Sequence, residues 1–318
     1  MRKDNWTLVT EFILLGFPIG QKVECLLFVI FLLLYLLTVG GNMVIITLVK
    51  KNRQLHTPMY FFLANFSIME IWYVSSTVPK MLQNFLVSLK SISVPGCIAQ
   101  CYFFFVMGGI ENYLLAVMAY DRYVAICNPL RYTTIMSQRL CGFLATGSWV
   151  VSFLSSLLPI IYLSTLIFCG PNEINHFFCD VSPLLKLSCT DTSLIKNYFF
   201  SLVPIVIFSC FIFTLVSYSN IISTILKIPS TSGRKKAFST CGSHLIVVVI
   251  YYGTVMFMYV RPTSRDSFYL DKVVSLFYAV LTPLLNPFIY TLRNNEVKGA
   301  LRKALNNAVI FKRNVVVS

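Results

Sequence analysis

The chain has 318 residues, of which 57% are hydrophobic and only 12% charged, and its mean hydropathy is +0.74. A soluble domain carries about twice that charged fraction, so a single aqueous core is excluded and the lipid bilayer becomes the expected solvent. The formal net charge of +14 does not indicate nucleic acid, because the bases lie in short stretches between apolar runs and form no clustered patch with stacking aromatics.

The first residues, MRKDNWTLVTEF, lack the basic region, apolar core and small-residue cleavage site of a secretory signal peptide, so the first apolar run is expected to act as a signal anchor. A spanning helix needs about 20 mostly apolar residues. Such runs are predicted near 26–49, 58–82, 97–120, 140–163, 198–222, 240–260 and 272–291, the second and fourth being the most polar. The expected architecture is an all-α membrane protein: an extracellular N-terminus (1–25), a seven-helix bundle (26–291) and a cytoplasmic tail (292–318). In the tail, Val297, Ala300, Leu301, Ala304 and Leu305 share one face with Lys and Arg opposite, the pattern of an amphipathic helix lying on the inner leaflet. No internal repeat or soluble domain interrupts the series.

Basic residues set the orientation. Lys50, Lys51 and Arg53 open one side, joined by Arg122, Arg131 and Arg139, then Lys227, Arg234, Lys235 and Lys236. Arg293, Lys298, Arg302, Lys303, Lys312 and Arg313 bring that side to sixteen of the 26 bases. The opposite side has longer loops and acids such as Glu173, Asp180, Asp191, Asp266 and Asp271. The positive-inside rule makes the basic side cytoplasmic, with the N-terminus outside. A glycosylation sequon at Asn5 falls on the outer side, whereas the one at Asn65 lies within a span. Cys97, Cys169, Cys179 and Cys189 also fall outside, where disulfides persist, and four cysteines permit three pairings.

Several chemistries are missing. There is no CxxC pair, no HExxH, no GxSxG and no phosphate-binding glycine loop, so neither zinc-site spacing nor a hydrolase motif is legible. A transporter would be expected to show repeats with broken helices, and a channel a filter or a ring of charges. A receptor needs only a ligand cavity on one side and a partner surface on the other, and is the leading expectation, with a transporter or channel as the alternative.

The ordered stretches GN (41–42), LHTPMYFFLANFS (55–67), MAYDRYVAIC (118–127), SY (217–218), KAFSTCGSHL (236–245) and PLLNPFIYTLRN (283–294) resemble a vertebrate olfactory receptor of the rhodopsin-like G-protein-coupled receptor family. FCGPNEINHFFCD in the long outer loop is similar to the class II, tetrapod-type branch. The resemblance implies a receptor, not an enzyme, that binds a volatile odorant and activates a stimulatory, olfactory-type G protein to raise cyclic AMP. A chemoreceptor of the same family working outside the olfactory epithelium is equally compatible. The implied location is the plasma membrane.

The resemblance assigns Asp121, Arg122 and Tyr123 to G-protein coupling. At about 1.5 Å per residue, the helix from Cys97 to Arg122 crosses the bilayer and puts the charges at its inner rim. The helix dipole favours Arg there, so the plain alternative is a juxtamembrane anchor. The expected switch has Arg122 restrained by Asp121 at rest and turning toward Tyr218 and Tyr290 on activation. Asn286 and Pro287 would loosen the last helix, since Pro removes a backbone donor. Lys235 and Lys236 would meet either the G protein or anionic lipid.

Glu70 and Glu111 lie within spans and should face the bundle interior. With Asn42 and Asn286 they form either a hydrogen-bonded network or a sodium site. Glu70 departs from the family, which usually has Asp there. On the outer side the resemblance pairs Cys97 with Cys179 and Cys169 with Cys189.

A ligand cavity is expected among the outer halves of the third, fifth, sixth and seventh helices. Phe104, Phe105, Gly108 and Asn112 share a stripe of the third helix, with Gly109 beside it; the two glycines either leave volume for a guest or allow close helix packing, the commoner role of Gly in membranes. By similarity to the family, Val203, Val206 and Ile207 are expected on the fifth helix and Tyr252, Val255, Met256 and Tyr259 on the sixth. The seventh contributes Ala279. The lining is mostly apolar or aromatic with no acid from the outer third helix, which points to a small, largely neutral volatile carrying at most a hydroxyl or carbonyl.

Overall fold

The computed structural model describes residues 9–260, 267–293, 296–303 and 306, with the side chains at 200, 236, 239–240, 258–260, 267–269, 271 and 291–293 left aside. The sequon at Asn5, Asp266, Ala304, Leu305, Lys312 and Arg313 lie outside the described residues, as do the side chains of Lys236, Tyr259, Asp271 and Arg293.

Among the described residues seven long helical segments form the bundle: α1 (Gln21–Lys51), α2 (Pro58–Leu86), α3 (Val94–Cys127), α4 (Gln138–Ser164), α5 (Val203–Leu226), α6 (Thr231–Val260) and α7. The last is built of Ser267–Leu276, a π-helical turn Phe277–Leu281 and Thr282–Arg293. The helices outrun the predicted apolar runs because their polar ends continue past the hydrocarbon. Their starts carry the expected chemistry: Ser93 and Ser137 accept from the amides of Gly96 and Leu140 at 3.2 and 3.3 Å, and Pro58 opens α2, where no amide donor is needed.

Burial orders the helices. Only 6% of the apolar window of α1 is buried, against 61% for α3, so α1 faces lipid and α3 forms the centre. By length and composition, five described segments suffice to span a membrane: α1, α3, α4, α5 and Lys272–Tyr290. α2 falls short because it is an interior helix that buries Ser67, Glu70, Thr77 and Asn84. α6 has a shorter apolar stretch, Cys241–Phe257, behind a basic cytoplasmic end. α1 meets α7 closely because Gly41 lacks a side chain: a Cβ there would sit 3.2 Å from Pro287 Cβ.

The outer face holds three short strands that hydropathy did not reveal. β1 (Glu11–Leu14) lies between β2 (Ser91–Ser93), antiparallel, and β3 (Glu173–Ile174), parallel. Glu11 pairs with Ser93 and Ile13 with Glu173. Phe12 and Leu14 are completely buried from this strand, so β1 is the keystone of a lid. Gly16, at φ 59°, turns the chain out of the strand toward α1. Two disulfides, Cys97–Cys179 and Cys169–Cys189, staple the long outer loop to α3 and to itself.

Candidate functional site

The residues expected to line an outer cavity fall into two layers of α3 about 12 Å apart. In the upper layer, Phe104 is buried among Phe178 of the long loop, Tyr73 of α2 and Tyr278 of α7, with ring centroids 4.8, 5.0 and 5.9 Å away. Phe105 turns toward α5 and meets Phe199 at 4.8 Å. In the lower layer, Tyr252 of α6 donates its hydroxyl to Asn112 Oδ1 at 3.0 Å and rests against Phe211 of α5 at 4.9 Å. Tyr251 donates to the Gly108 carbonyl at 3.3 Å.

The two glycines differ. A Cβ on Gly108 would meet nothing within 4 Å, so Gly108 borders open space. A Cβ on Gly109 would collide with the Ser152 hydroxyl, which donates to Val106 O at 2.7 Å. Gly109 is therefore a packing glycine against α4, the commoner use of Gly between membrane helices. Ile207 and Val255 are partly buried against the same core, Val203 and Met256 are half-buried, and Ala279 is fully buried in the π turn of α7. Val206 is more open, at 37% exposure.

The lid is tied to the helices beneath it. Lys272 at the top of α7 donates to Gly16 O at 2.5 Å and to Asn175 Oδ1 at 2.6 Å, tying α7, the N-terminal segment and the long loop together. His176 stacks on Phe177, its ring edge-on to Phe178, and its Nδ1 accepts from the Phe178 amide. Burial, and secondarily the nearby Lys272 ammonium, push its imidazole down to about 3, so it stays neutral.

Deeper in the bundle, Glu70, Glu111 and Asn286 are buried, and Asn286 Nδ2 donates to Glu70 Oε1. Glu70 Oε2, Glu111 Oε1 and Asn286 Oδ1 have no hydrogen-bond partner among the described residues. Asn42 does not join them through its amide nitrogen, which donates to Thr38 O in its own helix at 3.0 Å.

At the cytoplasmic end, Asp121 and Arg122 are buried side by side, and α3 continues beyond them to Cys127. Arg122 Nε donates to Asp121 Oδ2 at 2.9 Å, and its terminal nitrogen donates to the same oxygen. Tyr132, in the loop after α3, donates to Asp121 Oδ1 at 2.8 Å. Burial and the carboxylate push its phenol above the ordinary range, which keeps it a donor. Tyr218 is held by His244 Nδ1 of α6 at 2.6 Å, and Tyr290 packs edge-on against Phe66. Tyr123 packs at the edge of the cluster formed by Tyr218, Ile221, Ile225 and Cys241. Lys235 is exposed at the inner end of α6. After α7, Val297 is buried and Ala300 and Leu301 half-buried while Arg302 and Lys303 are exposed, and Tyr60 of α2 donates to Glu296 at 2.7 Å.

Sequence reasoning missed Tyr132, His244, Ser152 and Lys272. His244 had a readable signal, a titratable ring in an otherwise apolar stretch. Ser152 and Lys272 act through neighbours distant in sequence, and Tyr132 through Asp121 in the preceding helix.

The comparisons with known proteins agree with one another. A family model described as "Olfactory receptor" matches residues 31–308. The chain is 54% identical to human olfactory receptor 6B1 over 303 residues, covering 95% of this chain and 97% of that protein. It is 52% identical to human olfactory receptor 11H4 (96% and 94% covered) and 49% identical to mouse olfactory receptor 1M1 (97% and 99% covered). Its fold is similar to the crystal structure of squid rhodopsin, with a TM-score of 0.66 at 17% identity over 93% of this chain and 91% of that one.

Proposed function

The chain belongs to the olfactory receptor family, a multi-pass plasma-membrane receptor with the rhodopsin-like seven-helix fold, and on that premise we propose that it binds a small, mostly neutral volatile among the outer halves of α3, α5, α6 and α7 and activates a stimulatory, olfactory-type G protein that raises cyclic AMP. The observation that carries this reading is the Tyr252–Asn112 hydrogen bond beneath the open space at Gly108. It joins α3 to α6 with a neutral donor and a neutral acceptor. A guest hydroxyl can replace either partner and a guest carbonyl can replace the Asn112 acceptor, and the two helices are then free to shift. The aromatic layer of Phe104, Phe178 and Tyr278 above it suits an apolar body.

Signal transfer is assigned to the cytoplasmic cluster. Separation of α6 from α5 breaks Tyr218–His244 and frees Tyr218 to receive Arg122 as it leaves Asp121. Tyr290 is the second acceptor, with Asn286 and Pro287 allowing α7 to move. Lys235 and Lys236 lie where a G protein or anionic headgroups approach.

The three unpartnered oxygens of Glu70, Glu111 and Asn286 fit a small cation that takes oxygen ligands. Sodium held there would supply positive charge to two buried carboxyl groups.

A screen of volatiles in cells reporting cyclic AMP tests the main reading. Activation by neutral volatiles supports it, and activation only by charged amines or peptides overturns it.

A further inference from the structure

One cysteine outside the two bridges sits directly beside one of them. Cys97, Cys101 and Cys179 are all completely buried and share one apolar cluster with Phe12 and Leu14 of β1. Among the described residues no other thiol outside a bridge belongs to that cluster. Cys97 and Cys101 are four residues apart on α3, so they lie on one face of the helix, Cys101 a turn deeper.

The long outer loop meets both of them through Cys179. Its sulfur is bonded to Cys97, with 5.4 Å between the two Cα atoms. Its carbonyl accepts from Cys101 Sγ at 3.2 Å, and its amide donates to Gln100 Oε1 at 2.9 Å. The backbone of Cys179 is thus held by the very turn of α3 that carries Cys101. A bridge to Cys101 therefore asks for a turn of the Cys179 side chain rather than a new path for the loop.

We propose that Cys101 is a second disulfide partner for Cys179, so that the lid is stapled to α3 at either of two levels. The step is a thiol–disulfide exchange. The Cys101 thiol gives up its proton and its sulfur attacks the Cys179 sulfur. The Cys97–Cys179 bond breaks, and the Cys97 sulfur leaves as a thiolate that takes up a proton. One S–S bond forms as one breaks, so no oxidant is consumed. A thiolate forms readily only where water reaches it, which places the exchange in the outer compartment before β1 closes over the cluster. The second bridge keeps the long loop on α3 whenever the first is lost.

The test uses the full-length receptor made in cells as wild type, Cys97→Ser, Cys101→Ala, Cys97→Ser/Cys101→Ala and Cys179→Ser. Free thiols are blocked with N-ethylmaleimide at lysis, and peptides of the total cellular receptor are mapped without reduction, so retention inside the cell does not hide the result. In Cys97→Ser, oxidised glutathione or another disulfide donor of the secretory compartment takes up the two electrons and two protons, and a Cys101–Cys179 peptide is expected. Surface expression should fall several-fold further in the double variant, to the level of Cys179→Ser, while Cys101→Ala alone keeps the outer bridge and controls for loss of the side chain. Limited reduction of wild type with glutathione should give the same Cys101–Cys179 peptide together with alkylated Cys97. Alkylated Cys101 in Cys97→Ser, pairing of Cys179 with other cysteines as often as with Cys101, or equal expression of Cys97→Ser and the double variant would overturn the proposal.

Discussion

Arg122 is held by Asp121 in its own turn of α3, with Nε 2.9 Å from Oδ2, while Tyr132 donates to the other carboxylate oxygen at 2.8 Å. The acid thus accepts from two sides, the arrangement that the proposed switch requires at rest. Because a hydrogen bond to a charged group contributes about 1.5–3 kcal/mol, Tyr132→Phe should weaken this restraint and raise ligand-independent cyclic AMP several-fold. Asp121→Asn should raise it further. Basal output at or below wild type, with surface expression intact, would show that the clamp does not set the resting state.

The neighbouring glycines of α3 should respond oppositely to the same change. Gly109→Ala drives a methyl into the Ser152 hydroxyl and should cost about 1–3 kcal/mol through overpacking, read as lower surface expression. Ser152→Gly in the same chain should restore it. Gly108→Ala projects into open space, so expression should hold while the set of activating volatiles narrows. Equal expression of the two alanine variants would contradict the split.

His176 makes the lid sensitive to acid. Its folded-state value of about 3 lies below the 6.5 of a free imidazole. The contribution of the neutral ring is therefore complete above pH 6.5 and is lost as the pH falls toward 3. By pH 5 the loss is on the order of 2 kcal/mol. Thermal unfolding of the purified receptor at pH 7 and pH 5 should show a larger drop for wild type than for His176→Gln. Equal drops would remove the histidine from the account.

Much of this architecture was legible beforehand. The runs of apolar residues gave the long helices, because the bilayer punishes unpaired backbone so heavily. The motif around Asp121 and Arg122 was equally readable. The β1 keystone was not, since Phe12 and Leu14 are buried only by pairing with residues about 80 and 160 positions away. Whether Gly109 leaves room for a guest or allows close packing could not be read from a stripe on one helix, which does not reveal Ser152 on another. Tyr132 and His244 escaped for the same reason: each acts through one partner brought near by tertiary packing.

If sodium occupies the cluster of Glu70, Glu111 and Asn286, raising sodium to about 150 mM at constant ionic strength, exchanged against potassium, should raise the thermal stability of the purified receptor. Glu111→Gln should abolish the difference. Identical melting in both salts for wild type would leave the cluster a hydrogen-bonded network without a cation.

The central claim is that a neutral guest above the Asn112–Tyr252 bond drives the Arg122 switch. It is tested most directly by dose–response curves for volatiles in cells carrying an olfactory-type stimulatory G protein, with cyclic AMP as the readout. Neutral alcohols, aldehydes or ketones are expected to activate wild type, Asn112→Val to shift the potency of the active volatile about tenfold, and Arg122→Ala to abolish the response at normal surface expression. Activation only by charged amines or peptides, or undiminished cyclic AMP from Arg122→Ala, would contradict the account.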